Sequence, residues 1–107
     1  MLGLQPDKPQ IMQQYILYAW DGTDDAAPER RMTARPAHFE NARKMKANGN
    51  FVIGGAMLDD HGKMIGSMMV VQFELPEQLQ HWIQTEPYIV GKVWEKIEVR
   101  PFRVAEV

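Results

Sequence analysis

The chain has 107 residues, the length of one ordinary domain, and its 45% hydrophobic content is enough for one packed core. A net charge of −2 offers no basic surface to a nucleic-acid backbone, and the absence of cysteine removes disulfides, thiolate catalysis and Cys-ligated zinc. No apolar stretch approaches the ~18 residues of a membrane-spanning helix, so the expectation is a soluble cytoplasmic protein with neither a membrane nor a nucleic-acid partner.

Residues 1–11 hold two prolines and few apolar side chains, with no basic region leading into an apolar run. They read as a flexible leader rather than a signal peptide, and residues 12–107 as the domain. Tyr15-Ile16-Leu17-Tyr18-Ala19-Trp20 is an aromatic and β-branched run of strand length that ends at Asp21-Gly22. The acidic stretch Thr23 to Glu29 reads as an exposed loop. Pro36 suits a first helical position, because its missing N–H would be unpaired there anyway, although Pro28 offers an earlier start. Phe39, Ala42 and Met45 recur at helical spacing, and Asn48-Gly49-Asn50 is a stop signal.

Phe51 to Leu58 is a second strand, and its paired Gly54 and Gly55 point to a bulge or a close backbone approach. Asp59-Asp60-His61-Gly62-Lys63 is a turn that makes a hairpin with a third strand, Met64 to Leu75. That strand is apolar on both faces: Ile65, Met69, Val71 and Phe73 on one, Met64, Met68 and Val70 on the other. Pro76 opens a second helix with Leu79, Trp82 and Ile83 on one side, and Pro87 starts a further helical turn. A last strand runs around Glu95 to Val104, with Pro101 confining it to a sheet edge or bulge.

The order β-α-β-β-α-β is the ferredoxin-like α+β motif, a four-stranded antiparallel sheet with both helices on one face. Two helices cover one face only. The second apolar face of the first and third strands therefore calls for another cover, and a second copy of the chain packed sheet against sheet supplies it.

Five segments in register resemble the YCII-related family of dimeric α+β barrels. They are Arg35-Pro36-Ala37-His38, Gly54-Gly55-Ala56 with Asp59, Gly66-Ser67, Glu86-Pro87-Tyr88-Ile89-Val90 and Val99-Arg100-Pro101-Phe102. This chain has Glu86 where the family has an aspartate before Pro-Tyr, and Ala56 where it often has proline. The resemblance implies a homodimeric barrel with a small cleft and a histidine–carboxylate site. One family member acts as a dehydrochlorinase on a hydroxyhydroquinone, which makes lyase-type proton transfer the nearest analogue.

On those grounds the candidate catalytic residues are His38, Glu86 and Asp59, and the candidate substrate-binding residues are Arg35, Ser67 and Tyr88. A histidine in a first helical turn feels the positive end of the helix dipole, which favours neutral imidazole and hence a general base; the plain alternative is a capping histidine. Asp59 is either a carboxylate partner or a turn-fixing residue, and Glu86 either a partner or a cap. Ser67 bonds backbone or faces a cleft, while Arg35 either receives an anionic oxygen or pairs with the acidic loop. Tyr88 and Trp94 line a pocket or pack in the core. The Asp59-Asp60-His61 run lacks metal-ligand spacing, and no phosphate loop, nucleophile elbow or dinucleotide fingerprint occurs, so neither metal nor cofactor is expected. The functional expectation is a cofactor-independent acid–base enzyme acting on a small molecule, with an anionic, aromatic or enolisable ligand in view. The alternative is a non-catalytic ligand-binding or interaction module.

Overall fold

A computed structural model describes residues 11–107. The expected leader falls almost wholly on residues 1–10, outside the described part; Ile11 itself is exposed. The elements follow as β1 (Gln13–Asp21), α1 (Ala27–Ala47), β2 (Phe51–Leu58), β3 (Met64–Phe73), α2 (Pro76–Thr85), α3 (Pro87–Val90) and β4 (Trp94–Phe102). The strands form one antiparallel sheet in the order β2-β3-β1-β4, the ferredoxin-like arrangement. Pro101 therefore lies on an edge strand, where its missing N–H is tolerated.

The pleat sorts side chains by alternation. Leu17 and Ala19 of β1 and Met69, Val71 and Phe73 of β3 point toward the helices, where they pack with Leu79, Trp82, Tyr88, Val93 and Trp94. The other face carries Ile16, Tyr18 and Trp20 beside Met68, Val70, Ile53 and Met57, with Lys96, Glu98 and Arg100 along its β4 margin. No described helix covers it, and Tyr18, Trp20 and Ile53 are 38%, 37% and 56% exposed.

Helix α1 departs most from expectation. It begins at Ala27, so Ala27, Pro28 and Glu29 belong to the helix and not to an acidic loop. Pro28 takes the first-turn position, and Pro36 lies inside the helix on its exposed side. The buried stripe is Ala27, Arg31, His38 and Met45; Phe39 is 41% exposed. Half of that stripe is ionisable, and a polar buried face carries no hydrophobic periodicity to read. Gly49 ends the helix with φ of 81°, a conformation that disfavours any side chain.

Smaller adjustments fall at element ends. Strand β3 stops at Phe73, because the backbone N–H of Leu75 is held by the Gln78 side chain at 2.9 Å to open α2. The bulges of β2 lie between Phe51 and Ile53 and between Met57 and Leu58, flanking the glycine pair. At Gly54 a Cβ would lie 3.1 Å from the Met68 carbonyl oxygen and from the Met69 and Phe51 side chains, so close approach is what the glycine serves.

Candidate functional site

The gap between α1 and the β2–β3 hairpin is a cavity of about 390 Å³. That volume falls in the range of small-molecule sites. Phe39, Phe51, Met64, Met69 and Tyr88 give it apolar walls. Gly54 and Gly55 keep the β2 wall thin. Arg31, Arg35, Arg43 and Lys46 also line it, and among the described residues no carboxylate does. A cavity with apolar walls and only cationic charge favours a small, largely apolar ligand that bears negative charge.

His38 stands in this wall, 8% exposed, in the middle of α1. The dipole argument from the sequence does not apply here, since that field fades within the terminal turn. A carboxylate orients the ring instead. Glu86, 1% exposed, lies between α2 and α3; its Oε1 meets His38 Nδ1, and its Oε2 accepts the backbone N–H of Tyr88 at 3.0 Å. Glu86 thus caps α3 and holds the imidazole at once. A neutral imidazole that donates Nδ1–H to Glu86 carries its lone pair on Nε2, which has no hydrogen-bond partner among the described residues. The Tyr88 ring stacks on the imidazole at 3.8 Å between centroids and 10° between planes, and Trp94 meets it edge-on at 5.9 Å. These contacts fix the ring's tilt as the carboxylate fixes its rotation.

A second buried charge lies one helical stretch earlier. Arg31, 4% exposed, donates through Nη1 to both Asp21 oxygens at 3.0 and 2.9 Å and through Nη2 to Ser67 Oγ at 3.0 Å. Trp94 Nε1 donates to the same Oγ at 3.1 Å. The Arg31 guanidinium carbon sits 4.9 Å from the Tyr88 ring centre, which joins this network to the His38 cluster. Burial pushes the Tyr88 phenol up from its ordinary value, so the hydroxyl keeps its proton at neutral pH.

The structure therefore brings together His38, Glu86, Ser67, Tyr88 and Arg35 of the residues singled out from sequence. Arg35 lines the cavity and lies 4.4 Å over the Phe39 ring, but well inside α1, so no free helix N–H groups accompany it. Asp59 does not join them. It sits in the β2–β3 turn, where its Oδ1 accepts the backbone N–H groups of His61 and Lys63 at 2.8 and 2.9 Å. Those hydrogen bonds lower its carboxyl below the ordinary value and suffice to explain the residue. Arg31, Asp21 and the Ser67–Trp94 contact escaped the sequence. An arginine off the apolar stripe reads as surface, and an aspartate before glycine reads as a turn. Among the described residues, no group of three or more His, Asp or Glu side chains is placed to hold a metal ion. No described helix is long and apolar enough to cross a membrane.

Comparison with known proteins places this chain in a family. By fold, the chain resembles 5-chloro-2-hydroxyhydroquinone dehydrochlorinase from Burkholderia phenoliruptrix in complex with 2,5-dihydroxybenzoquinone, with a TM-score of 0.72, 18% identity, and coverage of 86% of this chain and 95% of that one. It also resembles a dimeric ferredoxin-like protein from an uncultured marine organism, with a TM-score of 0.53, 14% identity, and coverage of 92% and 93%. In sequence it is 32% identical over 95 residues to Protein YciI of Escherichia coli O6:H1, covering 83% of this chain and 95% of that protein. The family model of the YCII-related domain matches residues 13–103, and this chain belongs to that family.

Proposed function

We propose that the protein is a small-molecule enzyme that works by general acid–base catalysis without a cofactor. His38 Nε2 acts as the base and Glu86 as the residue that orients it. The single observation that supports this reading most is the buried Glu86–His38 pair in the wall of an apolar, cation-lined cavity. A carboxylate on Nδ1 fixes the tautomer with its lone pair on Nε2 and stabilises the imidazolium that forms when Nε2 takes a proton. Arg35, with Arg31 behind it, favours an anionic ligand. The dehydrochlorinase neighbour, similar in fold at 18% identity, suggests phenolic or enolisable compounds as the first to try.

The working unit in this proposal is a homodimer. Its support is the uncovered sheet face, on which Tyr18, Trp20, Ile53 and Met68 present apolar surface that a second copy would remove from water.

The test uses substituted hydroquinones, 5-chloro-2-hydroxyhydroquinone among them, followed by absorbance, with calorimetry to measure binding. The expected result is turnover that His38→Ala abolishes while ligand binding persists, with Glu86→Gln lowering turnover by roughly 10²–10⁴-fold, the usual scale of a general-base contribution. Tight binding with no turnover in the wild type would return the non-catalytic binding module. Full turnover in His38→Ala would refute the base.

A further inference from the structure

Ser67 holds an unusual set of hydrogen bonds. A serine hydroxyl has two lone pairs and one proton. Both lone pairs of Ser67 are engaged, by Arg31 Nη2 at 3.0 Å and by Trp94 Nε1 at 3.1 Å. Only the proton remains, and among the described residues no acceptor takes it. Ser67 is 2% exposed and lines the cavity, so the cavity is where that proton finds a partner. Two N–H groups drawing on one oxygen, one of them from a guanidinium, polarise its O–H and make it a stronger donor.

Two more groups nearby lack partners. The Tyr88 hydroxyl and Arg31 Nε are both buried and have no partner among the described residues, and both residues line the same cavity. The Ser67 and Tyr88 hydroxyls are thus two donors with no protein acceptor among the described residues. Buried hydroxyls left unpaired are unfavourable, and a ligand oxygen would relieve that. His38 belongs to the same cluster, since its ring lies against both Tyr88 and Trp94.

Resting on His38 as the base, we infer that Ser67, polarised by Arg31 and Trp94 and joined by Tyr88, holds an oxyanion of the ligand. The ligand class that follows is a phenol or an enolisable carbonyl compound. Its O–H or C–H proton passes to His38 Nε2, and the electron pair of the broken bond comes to rest on the oxygen that Ser67 binds. Arg31 does not touch the ligand in this arrangement; it is a positioning residue, kept in place by Asp21.

The experiment uses 4-nitrophenol, whose phenolate is coloured, and 4-nitroanisole, its methyl ether, which has the same ring and no proton to lose. At a pH where the phenol is already ionised, the wild type binds 4-nitrophenolate more tightly than 4-nitroanisole. Ser67→Ala weakens phenolate binding by roughly tenfold or more, the scale of a hydrogen bond to a charged oxygen, and leaves 4-nitroanisole unchanged. Ser67→Thr, which keeps the hydroxyl, restores the preference. Equal affinity of the wild type for the two probes would overturn the inference, and this comparison stands even if Ser67→Ala fails to fold. Survival of the preference in folded Ser67→Ala would overturn it too. His38→Ala separates the two claims, because a preformed phenolate needs no base. Loss of the Ser67 effect with a functional His38 refutes the oxyanion site alone, and undiminished turnover in His38→Ala refutes the base alone.

Discussion

Asp21 and Arg31 form an ion pair whose side chains are each 5% exposed. Replacing Asp21 by asparagine keeps the shape and removes the charge, leaving a guanidinium buried with neutral partners. Breaking a buried pair from one side costs about 3–5 kcal/mol, and asparagine, which still accepts a hydrogen bond, belongs at the lower end. At about 3 kcal/mol, a domain near 100 residues loses roughly 12–24 °C in Tm. The assay is thermal and urea unfolding followed by circular dichroism at one fixed protein concentration, because any self-association makes Tm concentration-dependent. Removing both charges with Asp21→Leu and Arg31→Met should recover most of the loss, since the cost comes from the stranded charge and not from the missing attraction. Glu40→Gln is the control. Its partner Arg43 lies 3.2 Å away, but the two side chains are 60% and 68% exposed, and about 0.5 kcal/mol or less is expected. If Asp21→Asn costs no more than Glu40→Gln, the argument from burial is wrong.

The two faces of β3 give a further prediction. Met68→Lys, on the face that no described helix covers, should convert a dimer to a folded monomer by light scattering, whereas Val71→Lys, beneath the helices, should unfold the chain. A folded wild-type monomer at micromolar concentration would remove the basis for the dimer. The Asp24 carboxyl is held at about 2, below its ordinary 3.8, chiefly by the hydrogen bond from Arg30. A lowered carboxyl stabilises the fold above its ordinary value and loses that contribution as pH falls from about 4 through about 2. Carbon NMR titration of Asp24 should move back toward 3.8 in Arg30→Gln; a titration unchanged by that substitution would refute the pairing.

Much of the fold was legible because the strands and α2 bury apolar side chains in regular patterns. The alternation in β1 and β3 and the Leu79–Trp82–Ile83 stripe each have one physical reading. Helix α1 was not legible for the reason that makes it interesting: Arg31 and His38 occupy core-facing positions where periodicity looks for leucine or valine. Phe39 then drew the stripe to the wrong side, and Pro36 passed for a helix start. For the site, the residues around His38 and Glu86 were marked by family resemblance and by a topology that sets α1 beside the segment after α2. Arg31 and Asp21 had no such marker, because a buried ion pair consists of two residues that each look solvent-exposed until the fold removes the solvent.

The outer wall of the cavity is an edge strand. β2 is hydrogen-bonded on one side only, to β3, and most of its residues from Val52 to Ala56 stand exposed. Backbone hydrogen bonds at such an edge break in local excursions that leave β1, β3 and the helices in place. The remaining walls come from α1, α3 and the central strand β3. An occupant spanning α1 and β2 would hold this edge strand in place, because its contacts would be lost each time β2 left its single ladder. Amide exchange along β2 would then record occupancy even for a molecule that gives no colour and undergoes no reaction.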